Sequence, residues 1–474
     1  MTVSLTRTAA EFVAGLRYAD LPAEVTHMAK RCILDGVAVQ LGGTEQAALG
    51  VLGRYLTLVG GEPRCRLVGD AGRRVPPGLA ALWNGTAGHA MDWDDTQLAR
   101  HPGRAYGLMT HPTVPPLSAA FAIAEHLGSV SGQRFIEAFV AGVEVECKLA
   151  EAINPQHYMR GFHSSGTLGT FGAAAAAAKL LGLDVGGVRQ ALGMAASMAA
   201  GIRANFGTMT KPLHVGRAAE SGVTAALLVS LGYTADSDAL DGRWGYLEIA
   251  GPGGEPELVI DEFGQPFSIV DPGVSVKPYP SGVLTHPAMD ALLFLMRDEG
   301  IRNDDIARVD LYAANNVLGP IRFQFAETEL QGKFCFQFLL AAIMVAGRAG
   351  KQEFTDEFVR REAVAAAQRK VFTHHDADIE AMGYDRIRSR IVVTLHNGNR
   401  LERWADENYR GSPLNPLSER ELEIKLADCA YGLLSEERCG RVSECIWQLE
   451  KCADIGILVE LLDWSATTHH STRH

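Results

Sequence analysis

Four polar stretches of this chain carry side chains suited to proton transfer, and each lies among apolar or alanine-rich segments. The first is Asp92-Trp93-Asp94-Asp95-Thr96. The second is His111-Pro112-Thr113, and the third runs from His157 to Thr167 with a further histidine at His163. The fourth, Phe206 to His214, holds Lys211 between Thr210 and Pro212. A lysine is costly to bury unless a partner takes its charge, so Lys211 in a turn between two helical patterns reads as a cation awaiting an anion. The alternative is a solvated loop lysine. For any one histidine a structural role is the commoner outcome, more so for His157 than for His163. Together these imidazoles, the ammonium, the carboxyls and the hydroxyls suit removal of a proton next to a carboxylate. That step builds negative charge on the carboxylate oxygens, which fixed cationic and hydroxyl donors must stabilise. A neutral imidazole is a suitable base for it at neutral pH.

No cofactor motif competes with this chemistry. The chain has no GxGxxG, no Walker loop, no HExxH and no GxSxG, so nucleotide, zinc-protease and serine-hydrolase readings find no support. Asp92, Asp94 and Asp95 invite a metal, but an EF-hand loop needs glycine at its sixth position, and that position is Gln97. Helix capping accounts for Asp94 or Asp95 as simply. Neither a metal nor an organic cofactor is expected.

A length of 474 residues suggests two or three domains. An apolar fraction of 47% with 21% charged residues describes a globular core former. The net charge of −12 argues against nucleic acid or an anionic membrane as partner. A local cationic pocket for a small anion remains compatible with it, because salt screens a distant field. The 8 cysteines form no CxxC pair, and Cys429, Cys439, Cys445 and Cys452 lack zinc-ribbon spacing, which predicts reduced thiols in a cytoplasmic protein. The first residues hold no continuous apolar run of the signal-peptide kind. The most apolar run, Leu168 to Leu183, is broken by Lys179 and reads as a buried helix, not a membrane span. A soluble chain is expected.

These residues need elements to position them. Apolar spacing of three and four predicts helices at Leu5–Leu16, Glu24–Leu41, Leu79–Met91, Pro115–Leu127, Phe135–Ile153, Ala173–Leu181, Val188–Arg203 and Leu213–Leu231. Many of their residues are small, which predicts close interaxial packing. A short strand pair is expected near Cys65–Val68. The acidic cluster, both histidine loops and the lysine turn all fall between helices, so they can converge at one end of a bundle. Beyond about Gly251 the texture changes. Pro252–Pro280 is rich in glycine and proline, a helix is expected from His286 to Asp298, and Arg308–Tyr312 alternates as a strand. Phe334–Ala346 and Glu357–Lys370 read as helices. Ile391–Leu395 and Arg400–Trp404 flank Asn397-Gly398 as a hairpin with a type I′ turn. After Pro416 the helical period returns. The fold expected is mainly α with an α+β part: a large helical domain from both chain ends, 1–268 and 408–474, and a smaller α+β domain, 269–407.

Five ordered stretches then carry a resemblance: HAMDWDDT (His89–Thr96), THPT (Thr110–Thr113), RGFHSSGTLGTFGAAAAAAKLLGL (Arg160–Leu183), NFGTMTKPLHVGRAAESGV (Asn205–Val223) and KPYPSGVLTHPAMDA (Lys277–Ala291). In these the chain resembles the MmgE/PrpD family, which includes 2-methylcitrate dehydratase, cis-aconitate decarboxylase and iminodisuccinate epimerase. The resemblance implies a helical domain with an α+β lid, a homodimer, and catalysis on a polycarboxylate without metal or cofactor. Carried over by motif, it implies His163 as the main proton-transfer group and Lys211 and Thr96 as neutralisers of carboxylate charge. It further implies Asp92 as an orienting acceptor and His111 as assisting acid or opposed base. Lys277, Tyr279 and Ser281 would contact substrate from the lid side, with His286 the next lid histidine. His214 is expected to support the lysine turn. Two departures stand out. Ser281-Gly282 occupies the place where the dehydratase and decarboxylase branches carry a histidine, and an arginine-bearing segment between Thr96 and Thr110 adds Arg100 and Arg104 as a candidate carboxylate clamp or as surface charge. A hydro-lyase acting on a citrate-like acid, the broad activity of the family it resembles, is the leading expectation, and an epimerase, which the missing lid histidine favours, is the alternative. A decarboxylase or a non-catalytic polycarboxylate binder ranks below both.

Overall fold

Alanine and glycine set how closely the helices approach. In the computed structural model, which describes residues 4–97 and 110–463, the alanine run Ala173–Ala178 lies on a helix that buries every residue except Lys179 and Leu181. Gly216 lies on a neighbouring helix. A Cβ there would meet Thr86 Oγ1 at 2.1 Å and Leu82 O at 2.4 Å, so only glycine permits the approach. Gly222, further along, meets the backbone N of Ala174 at 2.5 Å in the same way.

The chain falls into two compact units, the first made of the described residues up to Val274 together with Ser418–Asp463, the second of Ser275–Leu417. The longer helices of the first unit are α1 (Leu5–Gly15), α2 (Ala23–Gly43), α3 (Ala47–Val59), α4 (Pro77–Ala90), α5 (Val114–Leu127), α6 (Gly132–Ile153), α7 (Ser164–Leu181), α8 (Val185–Met198) and α9 (Thr210–Ser230). Helix α9 packs between α4 and α7, and α7 also packs on α5 and α6. Local signals fix the ends. Ser131 accepts from Arg134 N to start α6, Asp184 accepts from Gly187 N to start α8, and Gly182 closes α7 in the left-handed region at φ 70°.

The second unit carries α10 (His286–Glu299), α11 (Phe336–Ala346) and a four-stranded sheet of β1 (Ile306–Ala313), β2 (Val371–His375), β3 (Ser389–Leu395) and β4 (Arg400–Trp404). The spatial order is β2-β1-β3-β4, with β1 parallel to β2 and antiparallel to β3. The hairpin stands, but its turn is not type I′. Type I′ needs positive φ at both central residues, and here Gly398 has it at 88° while Asn397 does not. Gly398 N donates to Leu395 O and Leu395 N to Asn399 O, the pattern of a type I turn closed by a glycine bulge. The chain then returns to the first unit as α12 (Glu419–Cys429), opened by a Ser418/Glu421 capping box, and α13 (Glu436–Trp447), both packed on α2.

Three elements differ from the sequence expectation. Helix α3 has apolar residues on both faces, with Leu49, Leu52 and Leu56 inside but Val51, Tyr55 and Leu58 exposed, which blurs the period. The span Glu357–Lys370 breaks into Asp356–Val359 and Glu362–Gln368. Helix α8 stops at Met198, and the chain instead passes Gly201, whose carbonyl accepts from His163 N.

Candidate active site

The polar stretches of the first unit are the ends of its tightest helices. Helix α4 ends at Ala90 and delivers His89 and the acidic loop; Thr113 precedes α5, His163 precedes α7, and Lys211 is in the first turn of α9. Lys211 therefore sits inside a helix, one turn earlier than the sequence pattern suggested. Asp92 adopts φ 55°, a left-handed conformation that aspartate tolerates better than bulkier residues. That reversal lets neighbouring carboxylates serve different partners. Asp92 Oδ1 accepts from Lys211 Nζ at 2.7 Å, and Asp94 Oδ2 accepts from His89 Nδ1 at 2.7 Å. Asp95 accepts from Thr113 Oγ1 at 2.6 Å, and its backbone oxygen accepts from His111 Nδ1 at 2.5 Å. From below, Lys425 of α12 donates to Trp93 O at 2.9 Å and pairs with Asp35 at 2.5 Å. Its ammonium also lies 5.2 Å from the centre of the Trp93 ring.

Four imidazoles form a chain of contacts. The His89 ring centre is 4.9 Å from His111 and 5.4 Å from His163, and His163 Nδ1 lies 3.1 Å from His214 Nδ1. Phe206 meets His163 edge-on with ring centres 5.0 Å apart and lies under the Lys211 ammonium. Backbone N–H of His111 donates to Ser165 Oγ at 3.0 Å, tying the second stretch to the start of α7. Burial, with the neighbouring His89 and the Lys211 charge, pushes the His163 imidazole well below its ordinary range. Burial likewise lowers His89, and lowers His214 to about 4. It raises Asp95 to about 8, helped by Asp35, and raises Glu146 well above the usual carboxylate range. Glu146 accepts from the Thr110 hydroxyl.

Among the sequence candidates, Asp92, His111, His163 and Lys211 thus belong to one cluster, in which Asp92, His163 and Lys211 are buried and His111 is partly exposed. Thr96, one residue beyond Asp95, is buried, and its hydroxyl has no hydrogen-bond partner among the described residues. His214 contacts His163. His157 is structural: Nδ1 donates to Ala250 O at 2.7 Å and Nε2 accepts from Thr167 at 2.8 Å. Lys277, Tyr279, Ser281 and His286 belong to the second unit, all buried there. Tyr279 donates to Asp290 at 2.5 Å, Ser281 shares a hydrogen bond with Thr285, and His286 Nε2 donates to Ser281 O at 3.1 Å. Arg100 and Arg104 lie outside the described residues. Sequence reasoning missed His89 as a site residue and gave Asp94 only capping or metal roles.

His89, Asp94 and His111 offer ligand atoms within 4.8 Å of one another, the residue types of a metal site. Their hydrogen bonds fix the tautomer of each ring. His111 Nδ1 faces a carbonyl oxygen and must carry a proton, and His89 Nδ1 faces a carboxylate, so the basic nitrogen of each neutral ring is Nε2.

Fold and site together define a mainly α protein whose smaller part is α+β and whose helical unit holds a buried His/Lys/Asp cluster. The chain belongs to the MmgE/PrpD family: the family's N-terminal domain matches residues 7–259 and its C-terminal domain residues 279–451. It is 29% identical over 471 residues to the cis-aconitate decarboxylase of Homo sapiens, covering 98% of this chain and 95% of that protein. It is 28% identical to the Mus musculus cis-aconitate decarboxylase, over 98% of this chain and 94% of that protein. A cis-aconitate decarboxylase of Aspergillus terreus (strain NIH 2624 / FGSC A1156) is 26% identical, over 95% and 94%. No helix of the described residues is long and apolar enough to cross a membrane.

Proposed function

We propose that the protein is a lyase acting on a citrate-like polycarboxylate, and that it begins by taking a proton from the carbon next to a carboxylate and ends with loss of water. The observation that carries this is the placement of the imidazoles: His163 is buried against His214 and close to His89, and burial favours its neutral form, the form that can accept a proton. A base of the cluster, His163 foremost, removes the α-proton, and the C–H electron pair moves onto the carboxylate as an enediolate-like dianion. Lys211 neutralises that charge. Its ammonium is held in place by Asp92 Oδ1 at 2.7 Å. The N-terminal ends of α5, α7 and α9, which carry the site residues, add the positive ends of their dipoles. Return of the electron pair forms the C=C bond and expels hydroxide, which a histidine protonated in the first step converts to water.

Decarboxylation is the second reading, favoured by the names of relatives that match along nearly the whole chain. It asks the site for a proton donor after carbon dioxide leaves, a demand that neutral imidazoles meet less well. Proton NMR in deuterated water, with citrate, 2-methylcitrate and cis-aconitate as candidates, separates the outcomes. A new alkene from a hydroxy acid supports dehydration, and loss of a carboxylate from cis-aconitate supports decarboxylation. Deuterium entering without an alkene indicates epimerisation. No change in any acid contradicts lyase activity on this class.

A further inference from the structure

His89 and Asp94 stand behind His111. The His89 ring is shut off from solvent, its Nδ1 donates to Asp94 Oδ2 at 2.7 Å, and its Nε2 has no hydrogen-bond partner among the described residues. The same carboxylate oxygen lies 3.7 Å from Nδ1 of His111, whose side chain keeps 17% of its exposure. One buried oxygen thus faces the Nδ1 atoms of two imidazoles, of which only His111 reaches the open side.

We infer that Asp94 is the counter-ion that lets His111 hold a proton taken during the reaction, and that His89 is the positioning residue that keeps Asp94 aimed at it. Other acidic groups near His111 are committed elsewhere. Asp92 is paired with Lys211, the Asp95 carboxyl is raised to about 8 and bonded to Thr113, and Glu146, bonded to Thr110, is held well above its ordinary range by burial. Among the described residues, the positive or titratable neighbours His163 and Lys211 oppose a second positive charge. Asp94 therefore supplies the anion, at a separation where an opposite charge favours the charged form. His89 stays neutral because burial is the largest influence on it, so the proton rests on His111 and not one ring deeper. In the sequence of events, His111 Nε2 receives the proton that His163 has removed from the substrate and His163 returns to neutral, the His111 Nδ1–H stays on Asp95 O, and the resulting imidazolium sits beside the Asp94 carboxylate until Nε2 releases the proton to the departing hydroxyl.

Resting on the proton-transfer reading of the site, the inference is tested without substrate, so its failure is separable from failure of that reading. In the full chain labelled with ¹⁵N-histidine, the His111 resonances are followed against pH by NMR. Asp94→Asn should lower the His111 midpoint by about one pH unit or more, the usual size for loss of an adjacent opposite charge. His89→Gln, which retains an N–H for Asp94, should leave the midpoint near the wild-type value, whereas His89→Leu should lower it. With a substrate in hand, the acid limb of the kcat/KM profile should move with the midpoint in Asp94→Asn while KM changes less than kcat. An unchanged His111 midpoint in folded Asp94→Asn, or in folded His89→Leu should the former not fold, overturns the inference.

Discussion

Lys211 Nζ and Asp92 Oδ1 meet at 2.7 Å across 119 residues of sequence, both nearly shut off from water. The pair joins the first turn of α9 to the reversed backbone after α4, so one contact fixes the cation against the loop that carries the acidic residues.

Breaking one side of such a pair should cost more than removing both. Lys211→Met should destabilise the protein by about 3–5 kcal/mol, because it leaves a carboxylate buried without its cation. Asp92→Asn combined with Lys211→Met should recover much of that loss while turnover stays abolished. Denaturant unfolding of both variants, with activity measured in parallel, checks the difference.

A second buried pair lies beneath the acidic loop. Lys425 holds both Asp35 and the backbone oxygen of Trp93, so Lys425→Met should lower kcat although the residue lies on α12, far along the chain from every catalytic candidate. A drop of about ten- to a hundredfold is expected, the range typical of misplaced catalytic geometry. Lys425→Arg, which keeps the charge, should lose less. Equal loss in both variants would point to packing in place of charge.

Close helix approach is testable at Gly216. Gly216→Ala would place a methyl 2.1 Å from Thr86 Oγ1, forcing α9 away from α4. The expected cost is about 1–3 kcal/mol, as for other overpacked interiors, with a fall in activity because Lys211 rides on α9. A melting curve that matches wild type would show that the helices have room to spare.

Stability should fall on acidification, and the sign follows from the histidines. Burial lowers His157 and His214 in the folded protein from 6.5 to about 4, so below 6.5 the unfolded chain binds protons that the folded chain refuses. Their contribution is complete above 6.5 and is lost as the pH falls toward 4. Urea unfolding across that window should show a shallower pH slope in His157→Asn than in wild type. The same slope in both would mean that His157 titrates normally in the fold.

Much of this architecture is legible from residue types. Alanine and glycine runs announce α7 and its tight neighbours, and Asn397-Gly398 announces the hairpin, because both are constraints on local geometry. The site is legible as far as each polar stretch advertises itself by its own neighbours: Lys211 by its flanking Thr and Pro, His163 by the glycine and serines around it. What sequence spacing hides is partnership. That Asp92 turns to Lys211 while Asp94 turns to His89 depends on one residue with φ 55°, which no periodicity records. His157, in the same motif as His163, is taken up by Ala250 O and Thr167, partners that only the folded chain brings within reach. Parallel strand β2 is hidden for a similar reason, since its register is set by β1, some sixty residues earlier.

The most direct measurement is deuterium exchange at the carbon next to a substrate carboxylate, followed by NMR in deuterated water for wild type and for His163→Gln. Wild type should exchange or eliminate that hydrogen, and the folded variant should do so about 10²- to 10⁴-fold more slowly, the usual share of a general base. Exchange at the wild-type rate in folded His163→Gln would contradict a proton-transfer role for His163.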